Sequence, residues 1–290
     1  MKITLNKKIS GVVLLILVVA NIFIWRTVLA AQADTFQIHF FDVGQGDAIY
    51  IRTPVKQDIL IDGGPDSSVL AKLGEAMPFY DRKIELMILT HPHADHLEGL
   101  VDILQRYKVE QVLYSGVDYK SATYDEWQKL IATKDIPTKT ALAGQVVQLG
   151  SAQINVLFPD RDFSGKTIKE LNNSSVVGRL VYGANSVLLT GDAESEVEKS
   201  LLEKYSGDKL QSNIFKAGHH GSDTSNTRNF MQAVDPEIVV ISVGEDNKYK
   251  HPTPSTLETF ANSDIGVFRT DQGGDIKCWL DEEDYECESG

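Results

Sequence analysis

The stretch ILTHPHADHLEGL, Ile88 to Leu100, holds His91, His93 and His96 within six positions, with Asp95 just ahead of the third. The run IELMILTH before it reads as a buried strand, and LEGLVDILQRY after it repeats apolar residues at helical spacing. The histidines therefore sit on a strand-to-helix junction. Side chains two apart at a strand end point the same way, so His91 and His93 can reach one ion. Asp95 and His96, where the backbone turns into the helix, can reach a second ion beside it. Neutral imidazoles with a carboxylate are a set zinc favours, and two adjacent cations can polarise a substrate oxygen while activating water. A His-rich turn without metal is the weaker explanation, because unpaired polar groups are costly at such a junction.

Moving outward, the same pattern recurs. FQIHFFDVG, DAIYIRTP and DILIDGG are short β-rich runs bounded by Gly, Pro and Asp, and SSVLAKLGEAM is helical. In the second half AQINVLFP is a strand, and SVVGRLVYG with NSVLLTGD forms a hairpin pair. AESEVEKSLLEKY is an amphipathic helix. SNIFKAGHH and PEIVVISVG are strands, PSTLETFAN is a helix, and VFRTDQGGDIKCWL closes with strands around QGG. Two halves of strands followed by helices predict an α/β protein, with two sheets packed face to face and helices outside. No linker divides them, so residues 34–290 are expected to form one domain.

Two more donor groups end strands. LLTGD delivers Asp192, a carboxylate that can bridge two cations and hold them about 3.5–4 Å apart. FKAGHHGS delivers His219 and His220. One of the two can complete the second ion's shell, which leaves its neighbour free for proton transfer or substrate contact.

The chain has 290 residues, 42% of them hydrophobic, and a net charge of −13. That charge argues against broad adhesion to nucleic acid or anionic membrane, which needs Lys and Arg to displace counterions. Residues 1–33 stand apart. Lys2, Lys7 and Lys8 precede an uncharged apolar run, Gly11 to Trp25, the pattern of an export signal. Cleavage after Ala31-Gln32-Ala33 is one reading; retention of Ile9 to Trp25 as a membrane anchor is the other and is preferred, since a span needs about 17–25 apolar residues. Either places the rest of the chain outside the cytoplasmic membrane. Cys278 and Cys287 are the two cysteines. CWLDEEDYEC reads as two arms of a hairpin or a final turn, where an oxidising compartment would allow a disulfide.

THPHADH, IDGG, LLTGD and GHHGS resemble the metallo-β-lactamase fold superfamily. FFDVGQGDAIYI, NNSSVVGRLVYG, KAGHHGSDTS and VVISVGEDNKYKHPTPSTLETF narrow the likeness to the hydrolase domain of the ComEC-type competence DNA-uptake proteins. The resemblance runs from about Phe36 to Leu280. It implies an αββα four-layer sandwich with a two-metal site at one edge of the sheets. On its positions His91, His93, Asp95, His96, Asp192 and His219 are the metal ligands, for two divalent ions, Zn or Mn. Asp62 takes the place of the buried Asp that supports the metal loop, and His219 is preferred to His220 as the ligand. The candidate catalytic residues are His220, Asp95 and His251.

The chain departs from the superfamily at one point. Many members carry a further ligand His between the first cluster and the bridging Asp, and nothing from Leu97 to Gly191 is His. The first ion would have His91, His93, Asp192 and water, a shell more congenial to a harder ion such as Mn²⁺. Asn173 and Ser175, in NNSS near the vacant place, are candidates to hold its water or the substrate, or form a solvated turn. Asp42 and Asp47 flank VGQG, either a plain β-turn or a loop meeting an anion or the metal loop. Lys250 and His251 precede a helix start, where an anionic group would be favoured.

The expected function is exported, metal-dependent phosphodiester hydrolysis, with single-stranded DNA or a related diester as substrate. DNA-uptake or envelope components are expected partners, the N-terminal segment is expected to contact the membrane, and a monomer is expected. Another exported hydrolase of the fold, acting on a β-lactam, a lactone or a choline-phosphate ester, is the alternative. A non-catalytic envelope component is the third class, and the complete donor set argues against it.

Overall fold

The computed structural model describes residues 7–31, 35–262 and 265–290. Helix α1 (Lys7–Ala31) comes first. Its described side chains, Gly11 to Trp25, are exposed, including Leu14, Leu15 and Phe23. Among the described residues no helix is long and apolar enough to cross a membrane. Lys2 of the basic flank and Gln32-Ala33 of the cleavage reading lie outside the described residues.

The first sheet opens with an antiparallel meander, β1 (Phe36–Phe40), β2 (Ile49–Arg52) and β3 (Asp58–Ile61). Helix α2 (Ser68–Ala76) and the short β4 (Lys83–Ile84) lead to β5 (Leu86–Leu89), which pairs parallel to β3. Then come α3 (Ala94–Arg106), β6 (Lys108–Val109, paired with β4), β7 (Val112–Tyr114), α4 (Ala122–Thr133) and β8 (Thr138–Thr140). The second sheet starts with β9 (Val146–Leu149) and β10 (Ala152–Phe158). It continues through the hairpin β11 (Val177–Tyr182) and β12 (Asn185–Leu189). After α5 (Ser195–Lys204) the chain adds β13 (Ile214–Lys216), α6 (Arg228–Val234), β14 (Ile238–Ile241), α7 (Pro254–Ala261) and β15 (Gly266–Arg269). These last strands are parallel.

The closing segment does not stay in the second half. A short helix α8 (Thr270–Gly273) occupies the expected QGG turn. β16 (Ile276–Leu280) then crosses back and pairs with β1, with β17 (Tyr285–Ser289) outside it. Cys278 and Cys287 face each other in that hairpin and form a disulfide.

The layers follow from alternation along fully buried strands. In β5, Leu86 and Ile88 enter a core shared by both sheets, while Met87 and Leu89 face α2, α3 and α4. In β12, Val187 and Leu189 enter the shared core, and Leu188 faces the helices of the second half. The result is helices, sheet, sheet, helices, the αββα arrangement expected. The loop after β3 is pinned where it meets α3. A Cβ on Gly99 would lie 1.9 Å from the Gly63 carbonyl oxygen, so glycine is required at that crossing. The Gly63 N–H donates to His96 O at 2.7 Å, and the Gly99 N–H to Gly64 O at 3.1 Å.

Candidate metal centre

His91 and His93 follow β5, and Asp95 and His96 lie in the first turn of α3. Asp192 follows β12, and His219 and His220 follow β13. These strand ends meet at one edge of the sandwich. Asp192 Oδ2 lies 3.2 Å from His96 Nε2, 3.4 Å from His220 Nε2 and 3.9 Å from His91 Nε2. His220 Nε2 lies 3.6 Å from Asp95 Oδ2, and His91 Nε2 lies 3.0 Å from His93 Nδ1. One donor atom from each of Asp95, His96, Asp192 and His220 falls within a 4.8 Å cluster.

Each buried imidazole is oriented from behind. Asp62 accepts from the Thr90 N–H at 2.8 Å and the Thr90 hydroxyl at 2.7 Å, and its Oδ2 lies 2.8 Å from His96 Nδ1. His220 Nδ1 donates to Ser242 O at 2.9 Å, which leaves Nε2 aimed at the carboxylates. Such outer contacts fix the ring and its tautomer for metal binding. His219 and His220 both take left-handed backbone, φ 50 and φ 54, a region non-glycine residues seldom occupy and one that recurs at functional sites.

The structure thus puts His220, rather than His219, among the four clustered donors. His220 is 1% exposed, whereas the His219 side chain is 23% exposed. His219 Nε2 stands 3.9 Å from Asp192 Oδ2, and its Nδ1 contacts Thr224 Oγ1 at 3.0 Å. His251 meets the His219 ring edge-on at 5.4 Å, at the rim of the centre.

Sequence reading passed over two neighbours. Lys216 has the same inward parity on β13 as Ile214, is fully buried, and pairs with Asp47 Oδ2 at 2.5 Å. Asp47 Oδ1 in turn lies 3.4 Å from His220 Nδ1. An inward-facing Lys on a buried strand demands an acidic partner, and that was the available signal. The second is Asn172, whose Nδ2 lies 3.4 Å from the His219 ring nitrogens. Asn173 instead accepts the Glu194 N–H, just ahead of α5, at 3.0 Å. Ser175 Oγ lies 3.3 Å from His91 Nδ1 and accepts the Asp192 N–H at 3.1 Å.

A family model described as the Metallo-beta-lactamase superfamily matches residues 41–245. The chain belongs to that superfamily. It is 30% identical to ComE operon protein 3 of Bacillus subtilis strain 168 over 260 residues, which covers 83% of this chain and 32% of that protein. It is 29% identical to Competence protein ComA of Neisseria gonorrhoeae, covering 87% of this chain and 33% of the relative. The chain therefore spans about a third of the length of these relatives. Among solved structures the metallo-beta-lactamase fold protein YhfI of Bacillus subtilis superposes with a TM-score of 0.54 at 14% identity. That match covers 81% of this chain and 96% of YhfI. The chain is a metallo-beta-lactamase-fold hydrolase related to competence proteins.

The superfamily's divalent ions suit this donor set. His96 Nε2, His220 Nε2 and Asp192 Oδ1 are buried with no hydrogen-bond partner, and such orphaned atoms at one point are what a cation satisfies. His91, His93 and Asp192 offer a second, sparser set, with the hydroxyl of Ser175 behind His91 rather than a further imidazole.

Charge in the ion-free centre is divided unevenly. Burial opposes a proton on His96, but Asp192 and Asp62 outweigh it and raise its pKa well above the usual value. Burial likewise opposes charge on His220, and Asp192 with Asp47 reverses it. Burial holds His91 well below the ordinary range, with His96 adding to the effect. A raised His pKa means that protons stabilise the ion-free centre until the pH climbs past that value. Ions must displace those protons, so metal affinity is expected to fall as the pH drops. Metal loading near pH 7 is expected to release on the order of one to two protons per chain, measured by pH-stat or by titration in buffers of different ionisation enthalpy. No release at pH 7 would refute the assignment of protons to His96 and His220.

Proposed function

We propose that this chain is an extracytoplasmic, metal-dependent phosphodiesterase that cleaves single-stranded DNA or a related diester. The observation that carries the reading is the asymmetry about Asp192. His96 and His220 are buried behind it, while His93, Asp95 and His219 are partly exposed and leave the centre open to a substrate. The motif resemblance to competence DNA-uptake proteins supports a nucleic-acid substrate, and the net charge of −13 favours threading one strand over docking a duplex.

In this reading Asp95, His96, Asp192 and His220 would hold one ion, and His91 and His93 with Asp192 would hold the other. The ions, Zn or Mn, supply positive charge to the phosphate and lower the pKa of water. His219, with Asn172 beside it, contacts the phosphoryl group instead of serving as the ligand expected from the sequence. Burial, with His219 and His220 nearby, lowers the His251 pKa to about 4. His251 is then neutral at pH 7, so it contributes a hydrogen bond toward the leaving oxygen rather than standing charge. His220 is committed at both ring nitrogens, which removes it as the proton donor.

Wild-type protein with Mn²⁺ or Zn²⁺ is expected to cleave labelled single strands and bis-p-nitrophenyl phosphate, and duplex at least about tenfold more slowly. Nitrocefin or lactone turnover with no diester cleavage would place the chain in another hydrolase class.

The Cys278–Cys287 disulfide and the apolar exposed face of α1 support a domain outside the cytoplasm, held at the membrane by its N-terminal segment. Protease added to spheroplasts is expected to digest the domain, and protection until lysis would refute this topology. Monomeric action beside DNA-uptake or envelope partners completes the proposal.

A further inference from the structure

The loop between β14 and α7 stands beside the turn that carries His219 and His220 and exposes Lys248, Tyr249 and Lys250, none of which the chemistry above uses. Tyr249 is 53% exposed. Its ring stacks on His251, with centroids 5.8 Å apart and planes at 24°. His251 meets the His219 ring at 5.4 Å, and His219 Nε2 lies 3.9 Å from Asp192 Oδ2. A line of rings therefore leads from solvent to the carboxylate shared by the two donor sets. Lys248 Nζ lies 4.9 Å from the Tyr249 ring centroid.

The loop is held in place. Asn247 Oδ1 accepts the His251 N–H at 3.0 Å, and its Nδ2 donates to His251 O at 2.7 Å and Gly244 O at 3.0 Å. The Thr253 N–H donates to Gly221 O at 3.0 Å, just past the two histidines. At Gly221 (φ 81) a Cβ would lie 2.6 Å from the Pro252 Cβ, so the two loops touch backbone to ring. Tyr249 is thus presented at a fixed place relative to Asp192.

We propose that Tyr249, Lys248 and Lys250 form a strand-binding subsite. The phenol ring stacks on a nucleobase next to the scissile phosphate, and the two ammonium groups pair with flanking phosphates. The proposal rests on the phosphodiesterase reading and deepens it: the substrate is a nucleic-acid strand with an unpaired base. Stacking accepts any base, because every base has a π face, and it rejects a duplex whose bases are already stacked. Lys248 leaves the ring for a phosphate when a base arrives. Glu245 and Asp246 precede Asn247 in the same loop, so the positive charge is confined to the segment that follows it.

The test compares binding of a cleavage-resistant phosphorothioate oligothymidylate with that of an abasic strand of equal length, by anisotropy on the metal-loaded full chain. Wild type is expected to prefer the base-bearing strand by about tenfold, the order one stacked base supplies. Tyr249→Ala is expected to erase that preference and Tyr249→Phe to keep it. Lys248→Gln with Lys250→Gln is expected to weaken both strands alike and flatten the salt dependence. An undiminished preference in Tyr249→Ala, or none in wild type, overturns the subsite. Methyl p-nitrophenyl phosphate, which has no base, reports on the reaction separately. Its hydrolysis alongside Tyr249-independent strand binding sinks the subsite alone. Its inertness alongside Tyr249-dependent binding sinks the reaction alone.

Discussion

Asp192→Ala is expected to reduce diester hydrolysis by roughly a thousandfold or more, about 4 kcal/mol in the barrier. The carboxylate is 1% exposed, and its Oδ2 lies within 4 Å of ring nitrogens from His91, His96, His219 and His220. Among the described residues Asp192 is the carboxylate with ring nitrogens of both donor sets around one oxygen, while Asp62 is turned back onto Thr90 and His96. In the proposed site each ion would lose a ligand with Asp192, and the two would lose their shared one. The substitution also removes the main counter-charge that keeps His96 and His220 protonated without metal. Their pKa values then fall toward the value set by burial. Elemental analysis is expected to show at least half of the bound metal gone, and circular dichroism to show an intact fold. Wild-type metal content together with more than a tenth of the wild-type rate would sink the shared-ligand role.

The first donor cluster was legible because four ligand-type side chains in six positions have few other reasons to be neighbours. Asp192 was legible for a related reason, as a carboxylate after Gly at a strand end. The four layers followed from runs such as LMIL and NSVLL, buried on both faces. Less legible was anything set by chain segments far apart. Asp47 read either as one flank of a plain glycine turn or as part of a loop meeting the metal loop. It does meet that loop, through its N–H to Asp95 O at 3.2 Å, but its pairing with Lys216 depends on the second sheet closing over the first. The return of β16 to β1 is likewise a choice between sheet edges that no local pattern encodes. Asn172 and Asn173 are adjacent and alike in sequence. One faces His219 while the other holds the Glu194 N–H ahead of α5, because a short 3₁₀ turn at Leu171–Ser174 separates their directions.

The order of His219 and His220 was illegible for a sharper reason, and it yields the second large effect. Strand alternation assigns them to opposite faces but not to roles, and the left-handed backbone at both residues discards that alternation. In the folded chain His220 is buried, fixed by Ser242 O and pointed at Asp95 and Asp192, whereas His219 lies open beside Thr224 and His251. His220→Ala is therefore expected to weaken one ion by more than the 10–100-fold typical of losing an outer contact. It also leaves Asp47 with Lys216 but without the imidazole at 3.4 Å, so the ion-free variant gains no compensating pair. His219→Ala is expected to keep both ions and lower turnover, since it removes a ring beside the open face of Asp192. Competition with a chromogenic chelator measures both variants. An unchanged affinity in His220→Ala, with an ion lost from His219→Ala, would return the ligand role to His219 and make His220 a supporting residue.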